Sequence, residues 1–114
     1  NPILKGAACN MISEGRRSAT EVAGLIGELE NFDPKKVERG TVYVRGLFSS
    51  KNVSMSLLYL SPRAKIKEHS NDEYSENYEE VDGNCIEICN KGESHFLENS
   101  STDKWLVIFV VKRK

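Results

Sequence analysis

The stretch that decides the reading is Ser61 to Ser100, SPRAKIKEHSNDEYSENYEEVDGNCIEICNKGESHFLENS. It holds both histidines of the chain, His69 and His95, and a run of carboxylates, Asp72, Glu73, Glu76, Glu79, Glu80 and Asp82, with no Lys or Arg between Ser70 and Gly83. Asp82-Gly83 and Asn90-Lys91-Gly92 are turn signals. Between them NCIEIC (84–89) alternates as a strand does, Ile86 and Ile88 on one face and Cys85, Glu87 and Cys89 on the other. Metal or acid–base chemistry in this chain must rest on those two imidazoles or on carboxylates. The acidic run reads first as a solvated loop, although such a cluster also attracts cations. A histidine on a strand is as often a hydrogen-bonded, half-buried residue as a ligand.

Working outward, the β signal continues on both sides. TVYVRGLF (41–48) and VSMSLLYL (53–60) precede the stretch, separated by the turn-forming Ser49, Ser50, Lys51 and Asn52, and Val53, Met55, Leu57 and Tyr59 share one strand face. WLVIFVV (105–111) follows as a buried strand. Upstream, Ser18 and Glu21 have capping-box spacing, and Val22, Leu25, Ile26 and Leu29 recur as an apolar stripe, which predicts an amphipathic helix over 18–31 that ends at Asn31-Phe32-Asp33-Pro34. Gly24 and Gly27 each cost about 1 kcal/mol relative to Ala, so this helix must lean on tertiary contacts. Residues 1–17 have no sustained period and read as an arm, loose or draped over a neighbour. The pattern is that of a mainly β sandwich or barrel, one domain over 1–114 with an arm at 1–17, a helix at 18–31 and a β-barrel at 41–112.

Composition excludes several classes. A length of 114 residues, 39% hydrophobic and 29% charged, suits one core. Sixteen Lys+Arg against seventeen Asp+Glu give a net charge of −1, which argues against nucleic-acid or membrane-surface binding by charge. The longest apolar run, Trp105 to Val111, is far short of the roughly 20 residues that cross a bilayer as a helix, so a soluble protein is expected. Three cysteines, an odd number, with no basic-then-apolar leader argue against a disulfide framework and for a reducing, cytoplasmic setting. Cys85 and Cys89 would lie ~13 Å apart along a strand, too far for a mutual disulfide or a shared metal. The doublets Arg16-Arg17 and Lys35-Lys36 and the basic run Lys112-Arg113-Lys114 read as solubilising.

One further pattern is set by spacing. His69-Ser70-Asn71 is followed after four residues by Glu76 and after six more by Gly83; then Gly92, two residues, His95, three residues and Asn99 follow, ahead of the final apolar strand. This order resembles the two motifs of the cupin superfamily, and the resemblance covers roughly residues 53–112. The first motif is degenerate, with Asn71 where the family has a second His and Arg63 where it has Gly. In the second motif Asn90 stands for Pro, and the region between the motifs is shortened, the second beginning at Asn84. The resemblance implies a cupin-like double-stranded β-helix, or jelly-roll barrel. It also implies that His69, Glu76 and His95 converge inside as ligands of a divalent transition metal, Fe, Mn, Ni or Zn, with Asn71 at the degenerate position and Asp72 or Glu73 as candidate substitutes. The expected function is metal-dependent action on, or sensing of, a small polar molecule of sugar or organic-acid type. The alternative is a non-catalytic cupin-like interaction or regulatory protein that has lost the full metal set. Under either, a shortened barrel needs the helix, the arm or a second subunit to complete its core, and a homodimer is expected.

Overall fold

The computed structural model describes residues 9–30, 40–81, 83 and 86–114, and for residues 9, 10 and 27–30 only the backbone. The chain is mainly β. Its strands are β1 (Cys9–Ser13), β2 (Val42–Ser49), β3 (Val53–Leu60), β4 (Lys65–His69), β5 (Ser75–Glu80), β6 (Ile86–Cys89), β7 (His95–Asn99) and β8 (Leu106–Arg113), with one helix, α1 (Ala19–Glu30). They form two sheets, a three-stranded one ordered β1-β7-β4 and a five-stranded one ordered β2-β3-β8-β5-β6, facing each other across a shared apolar core.

Period-two alternation decides which side chains enter the core. Leu58 and Leu60 of β3, Tyr78 of β5, Leu97 of β7 and Leu106, Ile108 and Val110 of β8 project between the sheets. Each fully buried side chain of this size contributes about 1.5–3 kcal/mol. The intervening residues of β3 and β8 form a second apolar layer on the outer face of the large sheet. There Tyr59, Trp105 and Val107 meet Val22 and Ile26 of α1. The helix begins with the capping box anticipated from sequence: the Glu21 N–H donates to Ser18 Oγ, and the Ser18 N–H donates to Glu21 Oε1, both at 3.2 Å. That backbone hydrogen bond from Ser18 is the main reason the Glu21 carboxyl titrates below its ordinary value. Leu25, expected in the apolar stripe, is exposed, while Ala19, Val22 and Ile26 pack toward the sheet.

The arm requires correction. Residues 9–13 are a strand, β1, pairing in parallel with β7 and giving the small sheet its third member. This is how a barrel with abutting motifs closes: β5 and β6 form a hairpin with no strands between, and the arm supplies the edge. The alternation in NCIEIC also holds, but Ile86 and Ile88 point outward and are exposed, while Cys89 is buried. A second correction concerns the cysteines, since Cys89 is disulfide-bonded. The inference of a reducing compartment from unpaired thiols loses that support. Cys85 and Asp82 lie outside the described residues.

Asn99, the last residue of the second motif, is a structural staple. It is fully buried, its amide nitrogen donates toward the carbonyls of Leu60, Ser61 and Lys104 at 2.9–3.0 Å, and its Oδ1 accepts from the N–H groups of Gly15 and Ser101. One side chain thus ties the ends of β3 and β7 to the segment that follows β1. Gly15 belongs to the same junction, because a Cβ there would collide with the backbone of Trp105. Arg63 adopts a left-handed φ of 65°, which costs a residue with a side chain about 1 kcal/mol. Replacing Asn99 with Ala orphans several buried backbone groups and should lower stability by about 2–4 kcal/mol. Urea unfolding checks this, and a shift below about 1 kcal/mol would show that the staple is dispensable.

Candidate metal centre

The site is built by three inward-facing rows. On β5 the alternation sends Glu76, Tyr78 and Glu80 inside, and on β7 it sends His95, Leu97 and Asn99 inside. β4 would present the wrong residue. With Ile66 opposite Leu97, an uninterrupted ladder would set Glu68 against His95; instead the register shifts between Ile66 and His69, and His69 pairs with His95. The extra residue of this bulge reverses the inside–outside parity and aims His69 at the barrel. The two imidazoles end with ring centroids 4.3 Å apart, inclined at 61°.

Glu76 and His95 are each 1% exposed, whereas His69 lies at the open end. His95 Nε2 is 2.9 Å from Glu76 Oε2. The imidazole and carboxylate donor atoms of His69, Glu76 and His95 all lie within 4.8 Å of one another, so the structure brings together the three residues that the motif singled out. Both imidazoles are oriented from behind. His69 Nδ1 is 2.8 Å from the Lys67 carbonyl and His95 Nδ1 is 3.0 Å from the Glu93 carbonyl. A carbonyl only accepts, so in these contacts each Nδ1 carries the hydrogen and each ring turns its Nε2 toward the site.

The chemistry of the donor set suits a cation. Tyr78 Oη lies against Glu76 Oε2 and 3.1 Å from His95 Nε2, while those two atoms are themselves in contact. A carboxylate and imidazole nitrogens brought together in a buried space are held by hydrogens or by a cation shared among them. Two imidazole nitrogens and one carboxylate, each with a supporting hydrogen bond, are the facial set that suits Fe(II), Mn, Ni or Zn and leaves coordination positions open.

Asn71 does not replace the missing imidazole. Its amide nitrogen donates to Glu76 Oε1 at 3.1 Å, and its Oδ1 accepts from the N–H groups of Glu73 and Tyr74. It closes a local turn and steers Glu76 so that Oε2 faces the histidines. Asp72 and Glu73 are exposed and stand outside the cluster, so the substitute-ligand reading is overturned. Two further residues belong here. Tyr78 follows Glu76 by two residues on β5, which puts both on the inward face. Lys112, read as part of a solubilising run, faces inward opposite Glu76 in the β5–β8 ladder, with Nζ 3.8 Å from Glu76 Oε1. Beside the cluster opens a cavity of about 220 Å³, walled by Val44, Leu58, Ile66, Leu97 and Val110. Its polar lining consists of Ser56, His69, Tyr78 and Lys112.

No protein-family profile matches the sequence, and neither does any curated protein. Among solved structures, similarity is found to a conserved protein of unknown function from Streptococcus pyogenes (TM-score 0.49, 13% identity, covering 68% of this chain and 77% of that one). It is found also to a cupin domain from Bordetella pertussis (TM-score 0.45, 13% identity, 68% and 98% covered). A third is an RmlC-like cupin protein from Desulfovibrio desulfuricans (TM-score 0.41, 13% identity, 68% and 90% covered). The description of the barrel rests on its own strand order and on the inward rows of β4, β5 and β7.

Removing the shared hydroxyl tests the triad directly. Tyr78→Phe should destabilise the metal-free protein by about 1–2 kcal/mol, since Glu76 and His95 lose the proton they share. Chemical unfolding at neutral pH reads this, and an unchanged midpoint would mean that the hydroxyl contributes nothing.

Proposed function

We propose that this chain binds a divalent transition metal, Fe, Mn, Ni or Zn, through His69, Glu76 and His95, and acts on or senses a small organic molecule in the adjoining cavity. The observation that carries the reading is the convergence of acceptors. Two imidazole nitrogens and a carboxylate oxygen meet beside the Tyr78 hydroxyl, and the backbone carbonyls behind the rings hold them in that orientation. When bound, such a metal supplies a Lewis acid that polarises a carbonyl, an enediolate or a water molecule. The chain's own groups then have distinct tasks. His69 stands at the open end, Glu76 and His95 are closed off from water, and Tyr78 holds a proton beside both. Purified protein should take up one divalent ion per chain, and His95→Ala should lose it by at least about a hundredfold in affinity. Elemental analysis and competition with a chelating dye decide the matter; finding no metal in either protein overturns the reading.

One observation favours the second, non-catalytic reading. Glu76 already has Tyr78, His95, Asn71 and Lys112 around it, a network that can hold itself together with a proton in place of a metal. The metal titration separates the two readings. We also propose a homodimer. The edge strands β2 and β6 leave Val44, Leu47 and Phe48, and Ile86 and Ile88, exposed at opposite sides of the large sheet. Sedimentation velocity at micromolar concentration should give a dimer, and a monomer throughout the range would defeat this claim without touching the metal reading.

A further inference from the structure

We propose that the cavity beside the His69–Glu76–His95 cluster takes a small organic anion with a branched aliphatic body, its charge held by Lys112, and that it rejects sugars. This deepens the reading of the site as metal-binding and rests on it only for what happens at the ligand's far end. Val44, Leu58, Ile66, Leu97 and Val110 give the 220 Å³ cavity an aliphatic lining from five strands. Of the hydroxyls that face it, Tyr78 is engaged with Glu76 and His95, which leaves Ser56 for a ligand. A sugar carries a hydroxyl on nearly every carbon. Each one pressed against this wall without a partner would cost about 1–3 kcal/mol. An aliphatic body gains from the same wall, at roughly 25 cal/mol per Å² removed from water.

Charge selects the other end. Lys112 is the one cationic side chain among the described residues lining the cavity, and the ladder fixes its place: on β8 it pairs with Ser54 of β3 and Glu76 of β5, on the inward row that continues through Val110. Its side chain is 41% exposed, so the aliphatic stem can lie along the wall while the ammonium stays at the mouth. Its contact with Glu76 Oε1, at 3.8 Å, is longer than a hydrogen bond, and that oxygen already accepts from Asn71. The ammonium therefore has donor capacity to spare. A cation held by Glu76 Oε2 would offset the carboxylate further, leaving the site with net positive charge and a vacancy for one anionic group. A carboxylate at Lys112 fills it, with an apolar body reaching toward Leu97 and Ile66.

The test compares three probes, 3-methylbutanoate, its uncharged amide and xylose, by NMR saturation transfer and titration on metal-free and zinc-supplemented protein. The expected result is that 3-methylbutanoate binds at least about tenfold more tightly than the amide or xylose. Lys112→Met should erase the preference over the amide, and Lys112→Arg should keep it. Both variants retain His69, Glu76 and His95. Equal or tighter binding of xylose, no binding of 3-methylbutanoate at millimolar concentration, or an undiminished preference in Lys112→Met would each overturn the proposal. The comparison among probes on the unaltered protein needs no variant to fold. If the protein takes up no zinc, the metal reading fails, while the preference measured on the metal-free protein still decides this one.

Discussion

The structure depends on one constraint: a carboxylate, Glu76, sits inside an apolar barrel at 1% exposure. Isolated, such a charge would cost several kcal/mol, and the side chain would neutralise or turn out to solvent. Each neighbouring element answers that demand. β5 itself contributes Tyr78, β7 contributes His95, β8 brings Lys112 opposite in register, and the loop before β5 bends so that the Asn71 amide reaches Oε1. The network holds the inner ends of both sheets in one arrangement. At its centre the imidazole nitrogens of His69 and His95 meet a carboxylate oxygen of Glu76.

A second, independent network stands at the opposite end of β7. His95 and Asn99 are the first and last residues of this strand, and both point inward with Leu97 between them. One end serves chemistry and the other serves architecture. Asn99 draws β1, β3 and the turn after β7 into a single knot, and α1 seals the outer face above it through Val22 and Ile26. The shortened barrel needs both supports. Without β1 the small sheet would have two strands, and without α1 the apolar residues Tyr59, Trp105 and Val107 would lie open to water.

Much of this was legible in the sequence, for physical reasons that differ by residue. Alternation exposed β2, β3, β6 and β8, and the capping box exposed α1, because local periods and local hydrogen bonds are written in consecutive residues. The spacing of His69, Glu76 and His95 pointed to convergence correctly, although the bulge that makes His69 face inward left no local trace. The arm strand β1 was invisible since its partner, β7, is distant in the chain, and five residues of mixed character carry no period of their own. Lys112 was hidden by its company: between two other basic residues it reads as surface, and only the β8 ladder reveals that it alternates inward. The cysteines misled because pairing is a matter of three-dimensional proximity, not of parity in their number.

The parallel pairing of β1 with β7 has a consequence in time. Cys9 lies beside His95, and Ser13 beside Asn99. Almost all the other strands lie between these two in the chain. Contacts of such separation close late, because the loop entropy of the whole intervening segment must be overcome before any pairing rewards it. β7 carries His95, so the last edge to be zipped is beside the strand that orients the ligand row. The pairing that spans the most chain among the strand pairs thus borders the strand that orients His95.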